Sequence, residues 1–263
     1  MFLHLERNPH PALLPFVKAF WYVRVKSTVS IPSINAVPNP EQCLYFYPKS
    51  KPKLYVPDGG FVVGTNATIF GQGTTHGRVV LPQDYLMFKI MFQAGGFYRL
   101  FGTPMTLFSE GPEDGEAVFG KEIVEVREQI EQTEDFNKLV EISENYLLKK
   151  IKQVKIDALP IDYVMQQMNW THQSLDQLAR QACLSTRQFE RKFLERLGVS
   201  PKFYGRVVRF NYTMKGRKKK SNESLMNLAY SYGYFDHNHL LRDFKQFTGS
   251  LPTQFNLETA LIY

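Results

Sequence analysis

No feature of this chain restricts its fold as much as a helical pattern that occurs twice. Ser174 to Pro201 reads SLDQLARQACLSTRQFERKFLERLGVSP, and Ser224 to Pro252 reads SLMNLAYSYGYFDHNHLLRDFKQFTGSLP. Ser174/Ser224, Leu175/Leu225, Leu178/Leu228 and Ala179/Ala229 align at an offset of 50 residues. Phe189/Leu240, Arg191/Arg242, Phe193/Phe244, Gly198/Gly249 and Pro201/Pro252 align at 51. The second copy therefore holds one extra residue in the turn between its two helices. Self-similarity at this period marks a repeated supersecondary unit, here a helix, a tight turn and a second helix.

Local signals delimit those helices. Ser174 with Gln177, and Ser185 with Gln188, have the spacing of a capping box, in which side chains and backbone amides at a helix start satisfy one another. Phe189, Phe193 and Leu197 form one apolar face, and Gly198 is the stop. Ser200 and Pro201 start a connecting helix through about Lys215, with Phe203, Val207, Phe210 and Met214 as its inward stripe and Gly216 as its end. The basic run Arg217 to Lys220 is then a loop. In the second copy Gly233 is the turn and Asp236 the N-cap, with Leu240, Phe244 and Phe247 inward. A short last helix is expected after Pro252, and Cys183 is expected as a small buried residue in the first turn. Ahead of the repeat, Pro160 suits the first position of a helix, whose stripe is Ile161, Val164, Met165 and Met168 and whose end is near Trp170.

Charge separates the chain in two. Residues 1–158 hold 17 Lys/Arg and 17 Asp/Glu, so the net charge of +7 falls entirely in residues 159–263, with 15 against 8. Basic charge concentrated on the segment that carries paired helices is the electrostatic footprint of a nucleic-acid binder. The first half has strand texture instead. Phe16 to Val25 is β-branched and aromatic, and short runs of the same kind follow between Pro and Gly up to Phe92. They predict a small antiparallel barrel or sandwich. Gly95 and Gly96 open a short helix, and two helices occupy 118–159, broken around Thr133 to Asp135. The expected architecture is α+β: residues 1–156 a β-rich domain ending in helices, residues 157–263 an all-α DNA-binding domain. There is no signal-peptide start and no 18-residue apolar run, so a cytoplasmic protein without membrane association is expected.

A helix-turn-helix places its second helix in the major groove, which admits an α-helix and shows a distinct donor and acceptor pattern for each base pair. With Phe189 and Phe193 inward, Thr186, Arg187, Glu190 and Arg191 face or flank the outside. The same reasoning exposes His237, Asn238, Leu241 and Arg242. Arg suits guanine, Asn adenine, Glu the cytosine amino group, and Leu a thymine methyl. A polar helix face alone describes any surface helix; two copies at matched spacing in the basic half are more specific. Lys192, Arg196, Lys202, Arg206, His239 and Lys245 are the candidates for phosphate contact, which positions without specifying sequence. The connecting helix of about 15 residues spans roughly 22 Å, a fair part of the ~34 Å between successive major-groove segments on one face. Arg187, Glu190 and Arg191 make the first face charged, so the first copy is expected to carry more of the base reading.

Residues 160–256 resemble the AraC-type transcriptional regulators, whose DNA-binding domain has two helix-turn-helix modules joined by a long helix. The resemblance rests on Leu228 to Gly249, LAYSYGYFDHNHLLRDFKQFTG, followed by Pro252, and is similar to the family pattern A-x-x-x-G-[FY]-x-[DS]-x-S-[HY]-[FL]-x-[RK]-x-F-[KR]-x-x-x-G-x-[ST]-P. Asn238 stands at the frequent Ser and Leu251 just before the Pro. More loosely, Phe20-Trp21, Val63-Gly64 and Phe92 to Met105 are similar to a sensor-like domain found ahead of this module. The resemblance implies double-stranded DNA as partner, a small-molecule effector or a second copy at the N-terminal domain, and RNA polymerase if the protein activates.

Other chemistry finds little footing. His4, His10 and His76 are scattered, and His237 and His239 are poorly spaced on a helix for a shared metal ion. Gly71 to Gly73 and Gly95-Gly96 lack any nucleotide-binding pattern. No cofactor and no catalytic residue is expected. A DNA-repair methyl acceptor of the Ada type carries the same DNA-binding module, but needs a four-cysteine zinc site. Cys43 is the only cysteine in the first half. A purely architectural DNA binder is the third class, separable by competition with unrelated DNA.

Overall fold

The computed structural model describes residues 1–57, 59–109, 111–154, 158–167, 173–220, 223–257 and 260–261. The expected positions of Met168, Trp170 and the boundary at 156/157 lie outside the described residues. In chain order the first half contains β1 (Phe2–Arg7), a 3-10 turn (Pro11–Leu13), β2 (Val17–Lys26), β3 (Ile34–Ala36), β4 (Gln42–Phe46), β5 (Lys53–Tyr55), β6 (Phe61–Val63), β7 (Ala67–Phe70), β8 (Gly77–Val80) and β9 (Asp84–Phe92). Then come α1 (Gly96–Phe101), a second 3-10 turn (Met105–Phe108), β10 (Glu113–Asp114), α2 (Gly115–Phe119), α3 (Lys121–Glu131) and α4 (Phe136–Ile151). The second half is α5 (Pro160–Gln167), α6 (Leu175–Gln181), α7 (Thr186–Leu197), α8 (Pro201–Lys219), α9 (Leu225–Ser231), α10 (His237–Thr248) and β11 (Ala260–Leu261).

The expected α+β division is what the chain adopts. One antiparallel sheet has the order β1-β2-β9-β4-β7-β10, and a second has the order β11-β3-β8-β5-β6. Period-two alternation explains how the first sheet is buried on both faces. Along β9, Leu86, Phe88, Ile90 and Phe92 join a core with Ile123, Val126, Ile130, Leu139, Val140 and Leu147 from α3 and α4. Tyr85, Met87 and Met91 point the other way, into a cluster with Cys43, Tyr45 and Tyr47. Strand β1 was not expected; its pairing with β2 runs from Phe2↔Val25 to Arg7↔Phe20.

Three expectations for the second half are corrected. Helix α8 does not stop at Gly216 but continues through Lys219, making most of the basic run helical. Gly216 is there for close approach: a Cβ would lie 2.9 Å from the Tyr232 ring and 3.4 Å from Leu228. Pro252 opens turns rather than a helix, and the chain instead returns as β11 to pair in parallel with β3. Cys183 is exposed and left-handed, at φ 55°; the turn between α6 and α7 needs that backbone conformation and turns the side chain to solvent. Among the described residues no helix is long and apolar enough to cross a membrane.

Candidate nucleic-acid interface

The two modules are built from the same local interactions. Ser174 and Ser185 are reciprocal capping boxes with Gln177 and Gln188 at the starts of α6 and α7. Ser224 and Asp236 cap α9 and α10 by accepting from the amides of Asn227 and His239. The helix-to-helix turns also correspond: Leu184 N–H donates to Ala179 O, and Tyr234 N–H to Ala229 O, each at 2.9 Å. Phe189, Phe193 and Leu197, and Leu240, Phe244 and Phe247, are all buried as the apolar stripes predict.

The opposite faces are open. Arg187, Glu190 and Arg191 on α7, and His237, Asn238 and Arg242 on α10, are exposed, as are Lys202 and Lys245. Two of the expected readers are less free. Thr186 is half-buried and its hydroxyl donates to Asp176 Oδ1 at 2.7 Å, bracing α7 against α6. Leu241 is half-buried.

Among the phosphate candidates, Lys192 is half-buried and its carbonyl accepts a 3.3 Å bond from Arg196. Arg196 is not available to a phosphate at all. It is 2% exposed, pairs through Nε with Asp162 Oδ1 at 2.8 Å and lies 4.8 Å from the Tyr98 ring centroid. Arg196 follows Phe189 by seven residues and so shares its inward face; that spacing was visible in the sequence, where charge alone suggested solvent. Arg206 is also turned inward, with Nε and one amino group on Asp243 Oδ1 at 2.9 and 2.7 Å and a further bond to Gln246. His239 is half-buried, edge-on to Tyr234 at 5.0 Å and 3.2 Å from Arg209. Burial, ahead of the attraction of Asp243 and the repulsion of Arg209, holds its imidazole below the ordinary histidine pKa.

Neither module stands apart from the β-rich half. The Gln42 amide donates to Arg196 O at 2.9 Å, and the Tyr98 hydroxyl to Glu195 at 3.0 Å. Gly198, at φ 77°, sits where a Cβ would come within 2.6 Å of Met105 O. From the connecting helix, Asn211 donates to Pro38 O at 2.8 Å, and from the second module Gly249 lies against the His76 ring. All these contacts involve the far ends of α7 and α10 or the middle of α8, and none of them touches the leading ends of α7 and α10. No group of three or more His, Cys, Asp or Glu able to hold a metal ion occurs among the described residues. Cys43 is buried, and burial pushes its thiol up to about 12, away from any nucleophilic state at neutral pH.

Residues 178–257 match the family described as Helix-turn-helix domain (HTH_18). The C-terminal module is an AraC-type helix-turn-helix domain. That match supports a DNA-binding module of the kind transcription regulators carry. Residues 5–111, ahead of the AraC-type domain, match a Domain of unknown function (DUF6597). Among solved structures the chain is similar to ToxT from Vibrio cholerae O395, with 12% identity over 91% of this chain and 96% of that one and a TM-score of 0.45. It is also similar to unsaturated fatty acid bound wild-type ToxT from Vibrio cholerae strain SCE256, with 15% identity over 94% and 96% of the two chains and a TM-score of 0.43. No curated protein matches the chain.

Proposed function

We propose that this protein reads a specific DNA sequence by inserting α7 and α10 into successive major-groove segments on one face of the duplex. The observation that carries the reading is the pairing of two alike modules, each with a polar outward face, on one rigid connector. Helix α8 has 19 residues, or about 28 Å at ~1.5 Å per residue, closer to the ~34 Å repeat of the groove than the shorter helix expected from sequence. Arg187, Glu190 and Arg191 read bases from the first helix, and His237, Asn238 and Arg242 from the second. Lys192, Lys202 and Lys245 supply phosphate contacts. Residues 1–156 form the regulatory domain and 157–263 the reading domain. A small-molecule effector or a second copy bound at the first domain would act by moving its grip on α7 and α10, and RNA polymerase is a further partner if the protein activates.

Selection of binding sites from random DNA with the full chain tests this. Arg187→Ala and Arg242→Ala should each relax preference at one position, costing ~1–3 kcal/mol if the contact is bidentate. Lys192→Ala should weaken all sequences alike and flatten the salt dependence. Equal affinity for unrelated sequences would make the protein an architectural binder and sink the reading.

A further inference from the structure

The structure locates the one residue by which the second module is longer. Cys183 and Gly233 are the left-handed turn residues, Leu184 and Tyr234 make the same backbone bond to the first helix, and Ser185 and Asp236 are the N-caps. Between Tyr234 and Asp236 stands Phe235, which has no counterpart between Leu184 and Ser185. It is 86% exposed, more than any other large hydrophobic side chain among the described residues. An inserted residue that served the fold would bury its ring; this one belongs to none of the apolar clusters.

Its place is the leading end of α10, directly before the N-cap. In a helix-turn-helix the N-terminal residues of the second helix reach the base edges. Any docking that brings His237 and Asn238 to the floor of the major groove therefore brings Phe235 there too. The only apolar group displayed on that floor is the thymine C5 methyl, and an aromatic ring is a suitable partner for it. A protein-binding patch would need contiguous apolar surface. Along the chain and on α10, Phe235 is followed by Asp236, His237 and Asn238, with Arg242 one turn on.

Resting on the reading of α10 as a groove-reading helix, we infer that Phe235 is a specificity-determining residue that recognises a thymine methyl. The second module then adds an apolar contact to His237, Asn238 and Arg242, where the first relies on charged groups and has no such contact.

The experiment uses the full chain and a site selected by the wild type from random duplex DNA. Each thymine in the site is replaced singly by deoxyuridine, which removes only the methyl group. At one position the wild type should lose about fourfold in affinity, the equivalent of ~0.8 kcal/mol for one buried methyl(ene). Phe235→Ala should bind the unmodified site several-fold more weakly, lose that deoxyuridine sensitivity, and unfold at the same temperature as the wild type. Unchanged affinity of Phe235→Ala with unchanged deoxyuridine sensitivity would overturn the inference and leave the groove-reading proposal standing. Intact DNA binding with loss of self-association or of transcription activation would overturn it in favour of a protein contact. Failure of the wild type to enrich any sequence would overturn both readings together.

Discussion

The two helix-turn-helix modules share their caps, turns and apolar stripes, yet they are fixed in place by different physics. The first is held by a pair with no access to water: Asp162 and Arg196 are 1% and 2% exposed. Asp162 also accepts from Leu159 N–H at the start of α5. The second is held by Arg206 and Asp243, but here the arginine side chain is 26% exposed and can be rehydrated. The stop glycines differ in the same sense. Gly198 abuts a backbone carbonyl, and Gly249 abuts a histidine side chain. Local sequence makes a module, and what surrounds the module decides how firmly its second helix is held.

Breaking the two ion pairs should show the largest difference. Asp162→Ala strands a buried guanidinium and should cost about 3–5 kcal/mol in denaturant unfolding. Asp243→Ala leaves Arg206 free to turn to water and should cost less, although Tyr234 also loses the acceptor 3.1 Å from its hydroxyl. Equal costs would mean that the exposure of the arginine does not govern the two sites. Glycine substitution should separate the modules by a smaller margin. Both Gly198→Ala and Gly249→Ala place a side chain in the left-handed region, at roughly 1–2 kcal/mol each. Only Gly198→Ala also meets an atom that cannot swing aside, so it should be the more destabilising and should loosen the grip on α7. The smallest effect concerns the turns. Cys183→Gly relieves a left-handed non-glycine residue and should raise the unfolding free energy slightly, whereas Gly233→Ala should lower it by about 1 kcal/mol. A loss on Cys183→Gly would show that the thiol makes a contact worth more than the backbone strain.

The sequence carried the modules well because their signals are short-range: a capping box needs four residues, and an apolar stripe needs one helix. It also carried the sheet alternation along β9. What it did not carry were residues whose meaning lies in a distant partner. Gly216 has the look of a stop until Tyr232 is seen across from it. Arg196 has the look of a surface charge until Asp162, Tyr98 and Gln42 close around it. The helix expected after Pro252 failed for the same reason, since Ala260 and Leu261 pair with Asn35 and Ala36, far away in the chain. Phe235 is a different case. The offset change from 50 to 51 announced an insertion, and only the matching turn bonds show which residue it is.

That returning strand has a consequence for synthesis. Ala260 and Leu261 pair with Asn35 and Ala36, and Lys218 Nζ holds Ala260 O at 3.0 Å. The edge of the second sheet beside β3 therefore stays open while the whole helical half leaves the ribosome, and unpaired edges invite adhesion to other chains. The six-stranded sheet needs no such wait, because every strand in it precedes α2. A nascent chain can thus fold its larger sheet early, with the smaller one closing last, after both helix-turn-helix modules exist.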